Sequence, residues 1–359
     1  MSDPNNQGTE TPRGIDGPLV TAWFEQHVKD AEPPLQFTLV AGGRSNLTYV
    51  ITDQAGARYV LRRPPTGRLL PRAHDMSREH QIISAMGPAG IPVPPALGLC
   101  EDLSVNGAPF YVMGFVDGVI ARTQDDVETA FDEPSRHRAG MALIDALVEI
   151  HRVDPDQVGL GDLGRKEGYI ARQLKRWYSN YQAANQDRGG EPLADMEQIH
   201  DRLAAVTPEQ GRTSVVHGDY RLDNCILTPD GSSVVAVLDW ELCTLGDPLA
   251  DLGQLLCYWP EPGEFSPLGQ TATTMPGFAR RDDLVARYAA RAGRDLPQLG
   301  FYVAFAYWKL ACILEGVFAR YLGGAMGDDG YDPSHYPERF AWLTQRAVAE
   351  LDQLGSLGA

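Results

Sequence analysis

The spacing of apolar residues changes from a strand period to a helix period along the chain. Residues 35–40, 47–52 and 58–63 are short runs in which β-branched and aromatic residues recur, and they predict three strands near the N-terminus. The run 76–86 has its apolar residues at helical spacing and predicts a helix. Residues 109–114 return to the strand pattern. We therefore expect a five-stranded sheet with one main helix in this part of the chain.

After this part the pattern is mainly helical. Residues 137–151 carry an apolar residue at every third or fourth position, which predicts a buried helix. Residues 162–185 and 196–206 predict two more helices, and 301–322 predicts a last one that is unusually apolar and aromatic. The fold class expected is α+β, with a disordered tail, a small β-rich N-terminal lobe and a larger, mainly helical C-terminal lobe. The expected boundaries of these three parts are residues 1–17, 18–114 and 115–359.

One polar segment interrupts the helical pattern of the C-terminal part. In residues 214–228 and again in 234–240, a β-branched apolar run ends in polar residues. The pattern predicts a strand, a loop, a second strand, a Pro-Asp-Gly turn and a third strand. Four polar side chains stand in the loop or at the end of the third strand: His217, Asp219, Asn224 and Asp239.

This spacing suits phosphoryl transfer. An acceptor hydroxyl needs a carboxylate within hydrogen-bond reach, and the Mg²⁺ on a bound nucleotide needs hard oxygen ligands. The loop can direct Asp219 at the acceptor and fold Asn224 back towards a metal, while Asp239 offers a carboxylate to the same metal. The alternative is a polar hairpin of surface residues. Four residues at a fixed spacing, however, occur by chance far less often than a single motif.

The stretch His217-Gly-Asp-Tyr-Arg-Leu-Asp-Asn224, followed by Leu238-Asp239-Trp240, resembles the catalytic and metal motifs of the aminoglycoside phosphotransferase/choline kinase family, relatives of protein kinases. The resemblance implies a bilobal protein-kinase-like fold with ATP and Mg²⁺ as cofactors. It makes Asp219 the catalytic base, Asn224 and Asp239 the Mg²⁺ ligands, and His217 a structural residue of the loop. Trp-Glu follows the metal carboxylate where protein kinases have Phe-Gly, so an activation-loop switch is not implied.

The same resemblance assigns part of the N-terminal lobe to the nucleotide. A Gly-Gly loop between the first two strands can cradle phosphates with its backbone N–H groups, although an ordinary hairpin turn is the alternative. Arg62 stands where the family has a phosphate-binding lysine, with Glu79 as its partner. A solvated Arg62, and a Glu79 that serves only the helix dipole, are the alternatives. A hinge segment after the last strand of the sheet is implied to bind adenine through its backbone. The nucleotide-binding residues implied are Gly42, Gly43, Arg44, Ser45, Asn46, Arg62, Glu79, Met113 and Phe115.

Residues 61–71, 158–164 and 307–311 narrow the resemblance to one branch of the family. This branch includes the kinase-like domain fused to some acyl-CoA dehydrogenases, and stand-alone bacterial proteins labelled as aminoglycoside phosphotransferases. The small-molecule hydroxyl acceptor is therefore either a hydroxyacyl-CoA thioester or an aminoglycoside. Asp247 and Asp251 belong to a Gly-Asp-Pro…Asp-Leu pattern of the family, and we expect them to brace the loop and a helix start. The acceptor-binding candidates are Arg221, Glu241, Trp308, Lys309 and Glu315. The last three are implied by the resemblance, because the family's C-terminal helices line the acceptor pocket. The alternative is a core helix, since an aromatic stripe at helical spacing is typical of a core.

The chain has a formal net charge of −17. Residues 1–114 hold 9 Lys/Arg and 11 Asp/Glu, a charge of −2, and the remaining residues hold 22 and 37, a charge of −15. This acidity argues against nucleic acid as a partner. It suits a polycationic acceptor, but it also serves simple solubility.

Composition limits the remaining classes of protein. Five scattered cysteines without a C-x-x-C pair argue against a disulfide framework or a zinc site. The sequence pattern predicts no membrane span of about 20 apolar residues and no signal peptide, so we expect a cytoplasmic protein without a membrane partner, as a monomer or homodimer. Because Arg62 replaces the usual lysine, a nucleotide-binding pseudokinase or scaffold is the alternative of a different class.

Overall fold

The chain divides into two compact units, residues 1–117 and 118–359. The first unit contains the larger sheet and the second contains most of the helices, in agreement with the predicted α+β class. The computed structural model describes residues 12–40, 46–66, 74–190, 195–269, 271–293, 295–296, 298–324 and 332–357.

The first unit is built on an antiparallel sheet. Its strands are β1 (Gln36–Leu39), β2 (Leu47–Thr52), β3 (Arg58–Arg63), β4 (Ala96–Cys100) and β5 (Phe110–Gly114). Among the described residues their order is β1-β2-β3-β5-β4, and every neighbouring pair is antiparallel. The strands predicted at 47–52 and 58–63 are confirmed with the same bounds, because their apolar pattern is uninterrupted.

Helices pack on this sheet and close its core. The helix α2 (Met76–Met86) contacts β4 and β5 and buries Ile82, Ile83 and Met86 as predicted. Its N-terminus is capped by Asp75, whose side chain accepts a hydrogen bond from the N–H of Arg78. The helices of the first unit are α1 (Gly17–His27), α2 (Met76–Met86) and α3 (Leu103–Asn106).

The segment before α1 is packed. Ile15 is 3% exposed and belongs to the core of the first unit, and Asp16 caps α1 with its side chain. A buried apolar side chain and a satisfied N-cap fix this segment. The disordered tail expected over residues 1–17 is therefore not observed from residue 12 onwards, and its first eleven residues lie outside the described part of the chain.

The second unit is mainly helical. The helix expected from residue 162 begins only at Tyr169, because the Gly-rich segment before it forms turns and Gly168 has a positive φ of 63°. Its helices are α4 (Gln124–Ala130), α5 (Glu133–Arg152), α6 (Tyr169–Asp187), α7 (Met196–Ala205), α8 (Leu249–Cys257), α9 (Arg281–Ala292), α10 (Leu299–Leu322) and α11 (Tyr336–Leu357).

Short strands frame the polar loop of the second unit. They are β6 (Ser214–Val216), β7 (Cys225–Leu227), β8 (Val234–Val237) and β9 (Thr244–Gly246). The pair β7–β8 is the predicted hairpin, but β6 pairs with β9, a strand that the sequence does not predict. Three residues that include a threonine and a glycine carry no recognisable strand pattern. The loop over residues 217–224 therefore runs from one small sheet to the other and is held at both ends.

The helix α10 is the apolar centre of the second unit. It is long and apolar enough to span a membrane by composition, but 78% of its most apolar window is buried inside the protein. It packs against α6, α8 and α11, which explains its apolar composition without a membrane.

Helix α8 closely approaches the backbone of α10 at Gly253. A Cβ atom at this position would lie 2.5 Å from the carbonyl oxygen of Tyr302, closer than real Cβ contacts. Only glycine lets the two helix backbones meet at this distance. The next residue of α8, Gln254, is buried beside this contact.

We predict that Gly253→Val lowers the free energy of unfolding by about 1–3 kcal/mol or more, because the added methyl groups overpack the contact of α8 with α10. Urea denaturation followed by circular dichroism measures the change. The matched control is Gly316→Ala in α10, where an added Cβ meets only the end of Arg320, at 3.9 Å. That substitution should be neutral or stabilise by up to about 1 kcal/mol. An unchanged stability in Gly253→Val would contradict the close contact.

Candidate active site

Asp219 lies half-buried in the loop between β6 and β7. Its Oδ1 accepts a hydrogen bond from Gln254 Nε2 at 2.9 Å, and its Oδ2 accepts one from Asn224 Nδ2 at 3.1 Å. The same Asn224 nitrogen also donates to the backbone carbonyl of Asp219 at 2.9 Å. Two amide donors fix the plane of an ionised carboxylate and leave each oxygen with a further lone pair. The arrangement presents a held carboxylate that can accept the proton of a hydroxyl.

His217 is buried and ties this loop to the end of β8. The N–H of Asp219 donates to Nδ1 at 3.2 Å, so Nδ1 carries no proton, and the protonated Nε2 donates to the carbonyl of Leu238 at 2.9 Å. The ring also packs against Trp240, with 4.6 Å between the centroids. Because Leu238 directly precedes Asp239, a neutral imidazole links the loop of Asp219 to the residue that carries the second carboxylate.

Asp239 follows β8 with a left-handed backbone, φ 64° and ψ 61°. Aspartate tolerates this conformation better than most residues, and such outliers cluster at functional sites. The N–H of Leu238 donates to the carbonyl of Asn224 at 2.8 Å, so this backbone is joined to the loop. This hydrogen bond places the backbone of Asn224 beside the residue that precedes Asp239, and Asn224 and Asp239 are the two predicted metal ligands.

The donor atoms present fit Mg²⁺ on a nucleotide. The amide nitrogen of Asn224 is committed to Asp219, so Asn224 can offer only its Oδ1 to a cation. Within the described residues, no three His, Cys, Asp or Glu side chains form a group that could hold a metal. A cation here would therefore depend on Asn224, Asp239 and phosphate oxygens, the kind of site that Mg²⁺ commonly uses.

Asp251, in the first turn of α8, braces the loop. Its carboxylate accepts the N–H groups of His217 and Gly218 at 2.7 and 2.8 Å, and His151 of α5 lies 3.3 Å away. Burial by itself would raise the pKa of Asp251, but the hydrogen bond and charge of His151 and the Gly218 N–H outweigh it and lower the pKa. An ionised buried carboxylate thus holds the loop backbone, a geometry that fits the bracing role expected of Asp251.

Asp247 connects the start of α8 to α10. Its Oδ1 accepts the N–H of Leu249 at 3.0 Å, and its Oδ2 accepts the hydroxyl of Tyr302 at 2.6 Å. Both contacts are to the protein framework, as expected for a bracing residue.

In the first unit, Arg62 is buried against Glu79. Their side chains form an ion pair, with 3.3 Å between Arg62 Nε and Glu79 Oε2. Glu79 also accepts hydrogen bonds from Tyr111 at 3.1 Å and from Asn46 at 3.3 Å. The predicted ion pair between Arg62 and Glu79 is therefore present. Arg62 is not a solvated side chain, and Glu79 does more than interact with its helix dipole. Asn46, assigned to the nucleotide from sequence, directs its amide nitrogen at Glu79.

Two other parts of the predicted nucleotide site are less defined. Met113 is a buried residue of β5, and the N–H of Phe115 donates to the carbonyl of Arg58 at 3.3 Å, so that N–H is committed within the sheet. Adenine recognition by this segment stays a prediction. Four assigned residues, Gly42, Gly43, Arg44 and Ser45, lie outside the described residues.

Of the acceptor candidates, Arg221 and Glu241 lie beside the catalytic motifs. Arg221 forms an ion pair with Asp223, and its guanidinium lies 5.0 Å from the ring centroid of Tyr258. Burial would lower the pKa of Arg221, but the carboxylates of Asp223 and Asp219 outweigh it and raise the pKa. A permanent cation therefore stands beside Asp219. Glu241 is half-buried in the turn directly after Asp239.

The other three candidates are buried in α10, in agreement with the alternative that this aromatic helix is core. Trp308 is fully buried and donates to the carbonyl of Met196 at 3.3 Å, and Glu315 is fully buried against Arg188 at 2.7 Å. Lys309 is 6% exposed and contacts the loop of Asp219. Burial makes Trp308 and Glu315 packing residues in this structure and removes them from an acceptor surface.

Sequence reasoning missed Gln254, whose side chain contacts Asp219. One signal was present, since Gln254 lies three residues after Asp251 and so shares its helix face. If Asp251 braces the loop, the residue at i+3 faces the loop too.

Comparisons with known proteins identify the family of this chain. A family model for the phosphotransferase enzyme family matches residues 36–302. Acyl-CoA dehydrogenase family member 10 of Mus musculus is 38% identical over 297 residues, which are 81% of this chain and 27% of that protein. Acyl-CoA dehydrogenase family member 11 of Homo sapiens is 34% identical over 320 residues, 86% of this chain and 40% of that protein. The chain thus spans well under half of these relatives.

Solved structures show the same fold. A Ralstonia eutropha protein assigned to the aminoglycoside phosphotransferases is 30% identical, with a TM-score of 0.77 over 94% of this chain and 99% of that one. Choline kinase of Cryptosporidium parvum, at 12% identity, has a TM-score of 0.65 over 94% of this chain and 97% of its own, and supports the fold alone. The predicted resemblance and the kinase-like fold are confirmed, and the chain belongs to the phosphotransferase enzyme family.

Proposed function

We propose that this protein transfers the γ-phosphate of ATP, in the presence of Mg²⁺, to a hydroxyl group of a small molecule. Membership of the family supports a small-molecule phosphotransferase. The observation that carries the proposal is the carboxylate of Asp219, held by two amide donors in a loop that His217 joins to Asp239. A pseudokinase would have no need of this arrangement.

Asp219 has the role of orienting the acceptor hydroxyl and accepting its proton. Asn224 and Asp239 would hold Mg²⁺, which neutralises charge on the phosphates when bound. Arg62, fixed by Glu79, would place a second positive charge at the phosphates. A guanidinium can bind a phosphate through two N–H groups, and the ion pair with Glu79 sets the orientation of Arg62. Arg62 can therefore take the role of the usual lysine.

A hydroxyacyl-CoA thioester is the acceptor that we favour. The support is that relatives at 34–38% identity over most of this chain are named as acyl-CoA dehydrogenase family members, although this chain matches only 27–40% of their length. A domain linked to such an enzyme would act on the same carrier. Arg221, a cation beside Asp219, could receive a phosphate or carbonyl of that molecule.

An aminoglycoside is the second candidate. It is favoured by the charge of −15 on residues 115–359 and by the Ralstonia eutropha structure at 30% identity. The apolar composition of α10 favours neither acceptor, because the helix is buried in the core.

The first test is phosphate transfer from Mg-ATP, read by mass spectrometry of the acceptor. One acceptor set contains hydroxyacyl-CoA thioesters and the other aminoglycosides, and a phosphorylated product identifies the class. Asp219→Asn should lower the rate by about 10²–10⁴-fold, because the general base is lost while the side chain keeps its shape. Unchanged activity in this variant would contradict the assigned base. If the wild type binds Mg-ATP but phosphorylates neither set, the pseudokinase alternative gains support.

Asp239→Asn tests the metal ligands. Asparagine also tolerates the left-handed backbone, so the variant removes the charge without adding strain. We expect lower activity and a higher Mg²⁺ concentration for half-maximal rate, measured by Mg²⁺ titration at saturating ATP. The matched control is Asp230→Asn, at the exposed turn of the same hairpin, which should keep the wild-type Mg²⁺ dependence. An identical Mg²⁺ dependence in both variants would remove Asp239 from the metal site.

A further inference from the structure

A buried lysine stands behind the proposed base and is linked to it through one glutamine. Lys309 Nζ donates to Gln254 Oε1 at 2.5 Å, and Gln254 Nε2 donates to Asp219 Oδ1 at 2.9 Å. Lys309 also donates to the carbonyl of Gly218, the residue before Asp219, at 3.1 Å. The two side chains thus reach Asp219 at its carboxylate and at its preceding peptide.

Keeping a lysine in this place is costly. Lys309 is 6% exposed, and within the described residues its hydrogen bonds go to two uncharged oxygens, those of Gly218 and Gln254. Burial lowers the pKa of Lys309, and the carboxylates of Asp219 and Asp251 oppose that change only in part. The Lys309 Nζ atom also lies 5.5 Å from the ring centroid of Trp177. A buried cation without a direct counter-ion lowers the free energy of unfolding. Its presence here therefore calls for a role in the site.

The lysine determines which way the glutamine amide faces. An ammonium group has donors and no acceptor, so it requires the oxygen of Gln254 on its side. The amide nitrogen then faces Asp219, which as a carboxylate needs a donor. The reverse orientation would place donor against donor at Lys309 and acceptor against acceptor at Asp219. The ammonium group of Lys309 therefore fixes both hydrogen bonds of the Gln254 amide.

We infer that Lys309 and Gln254 are positioning residues for Asp219, and that Lys309 acts on it through the amide of Gln254. The inference rests on the proposed function, because it gives Asp219 the role of base. Without this pair Asp219 keeps, among the described residues, only Asn224 as a side-chain donor, and its carboxylate can rotate away from the acceptor. Misplacement of a reacting group by about 1 Å can cost about 10²-fold in rate.

The kinetic test is a double-mutant cycle. Lys309→Met and Gln254→Met keep the length and apolar volume of the side chains. Each should lower kcat by about tenfold to a hundredfold with KM for ATP near wild type, because the ground-state binding of the nucleotide is untouched. The double variant should lose no more than the larger single loss, since both changes break one chain of contacts. Additive losses would overturn the inference.

Two further variants separate positioning from packing. Gln254→Glu keeps the size of the side chain and its contact with Lys309, but it replaces the donor to Asp219 with an acceptor. Its kcat should fall as far as that of Gln254→Met, whereas a packing role predicts wild-type kcat. Arg320→Met removes a cation from an exposed position of the same helix and should leave kcat unchanged. Thermal melting shows that each variant folds.

A readout independent of activity is the side-chain amide signal of Gln254 in glutamine-labelled ¹⁵N NMR spectra. The signal is identified by its loss in Gln254→Met. In Lys309→Met and in Asp219→Asn its two protons should move towards the shifts of exposed glutamines, while Arg320→Met leaves them in place. A signal that stays unchanged in Lys309→Met overturns the inference. If the wild type phosphorylates no acceptor, the proposed function fails, and the amide signal alone decides whether Lys309 orients Gln254.

Discussion

The second unit depends on one buried carboxylate that receives two backbone N–H groups. Asp251 accepts from His217 and Gly218, the residues directly before Asp219. Neither N–H could be left buried and unpaired without a cost of about 1–3 kcal/mol. The carboxylate therefore fixes the backbone path of the loop, and the directions of the Asp219 and Asn224 side chains follow from that path.

Helices distant in sequence converge on this loop. α5 brings His151 to Asp251, α8 carries both Asp251 and Gln254, and α10 supplies Lys309. Rigid helices position side chains more accurately than loops do, so a catalytic loop placed on a helical frame keeps its geometry. In the first unit a helix likewise positions a polar side chain, since Glu79 of α2 forms an ion pair with Arg62 of β3.

The sequence predicted what depends on local pattern. The strand at 47–52, the helix at 76–86 and the cluster of polar residues around Asp219 follow from periodicity and spacing, which act over a few residues. The strand β9 has three residues, too short for any period, and its pairing with β6 is a tertiary contact. The family resemblance gave Trp308 and Glu315 as acceptor candidates, and the packing of α10 shows that both side chains are buried. Gln254 was missed although its position three residues after Asp251 places both on one helix face.

The glycine contact between α8 and α10 has a consequence for how this protein can be altered. Gln254 and Lys309 sit on the two helices that meet at Gly253, so the spacing of these helices sets the length of the chain of contacts behind Asp219. Substitutions that tighten or loosen this core would shift the base as well. Selection for thermal tolerance and selection for turnover therefore act on the same interhelical distance, and gains in one are constrained by the other.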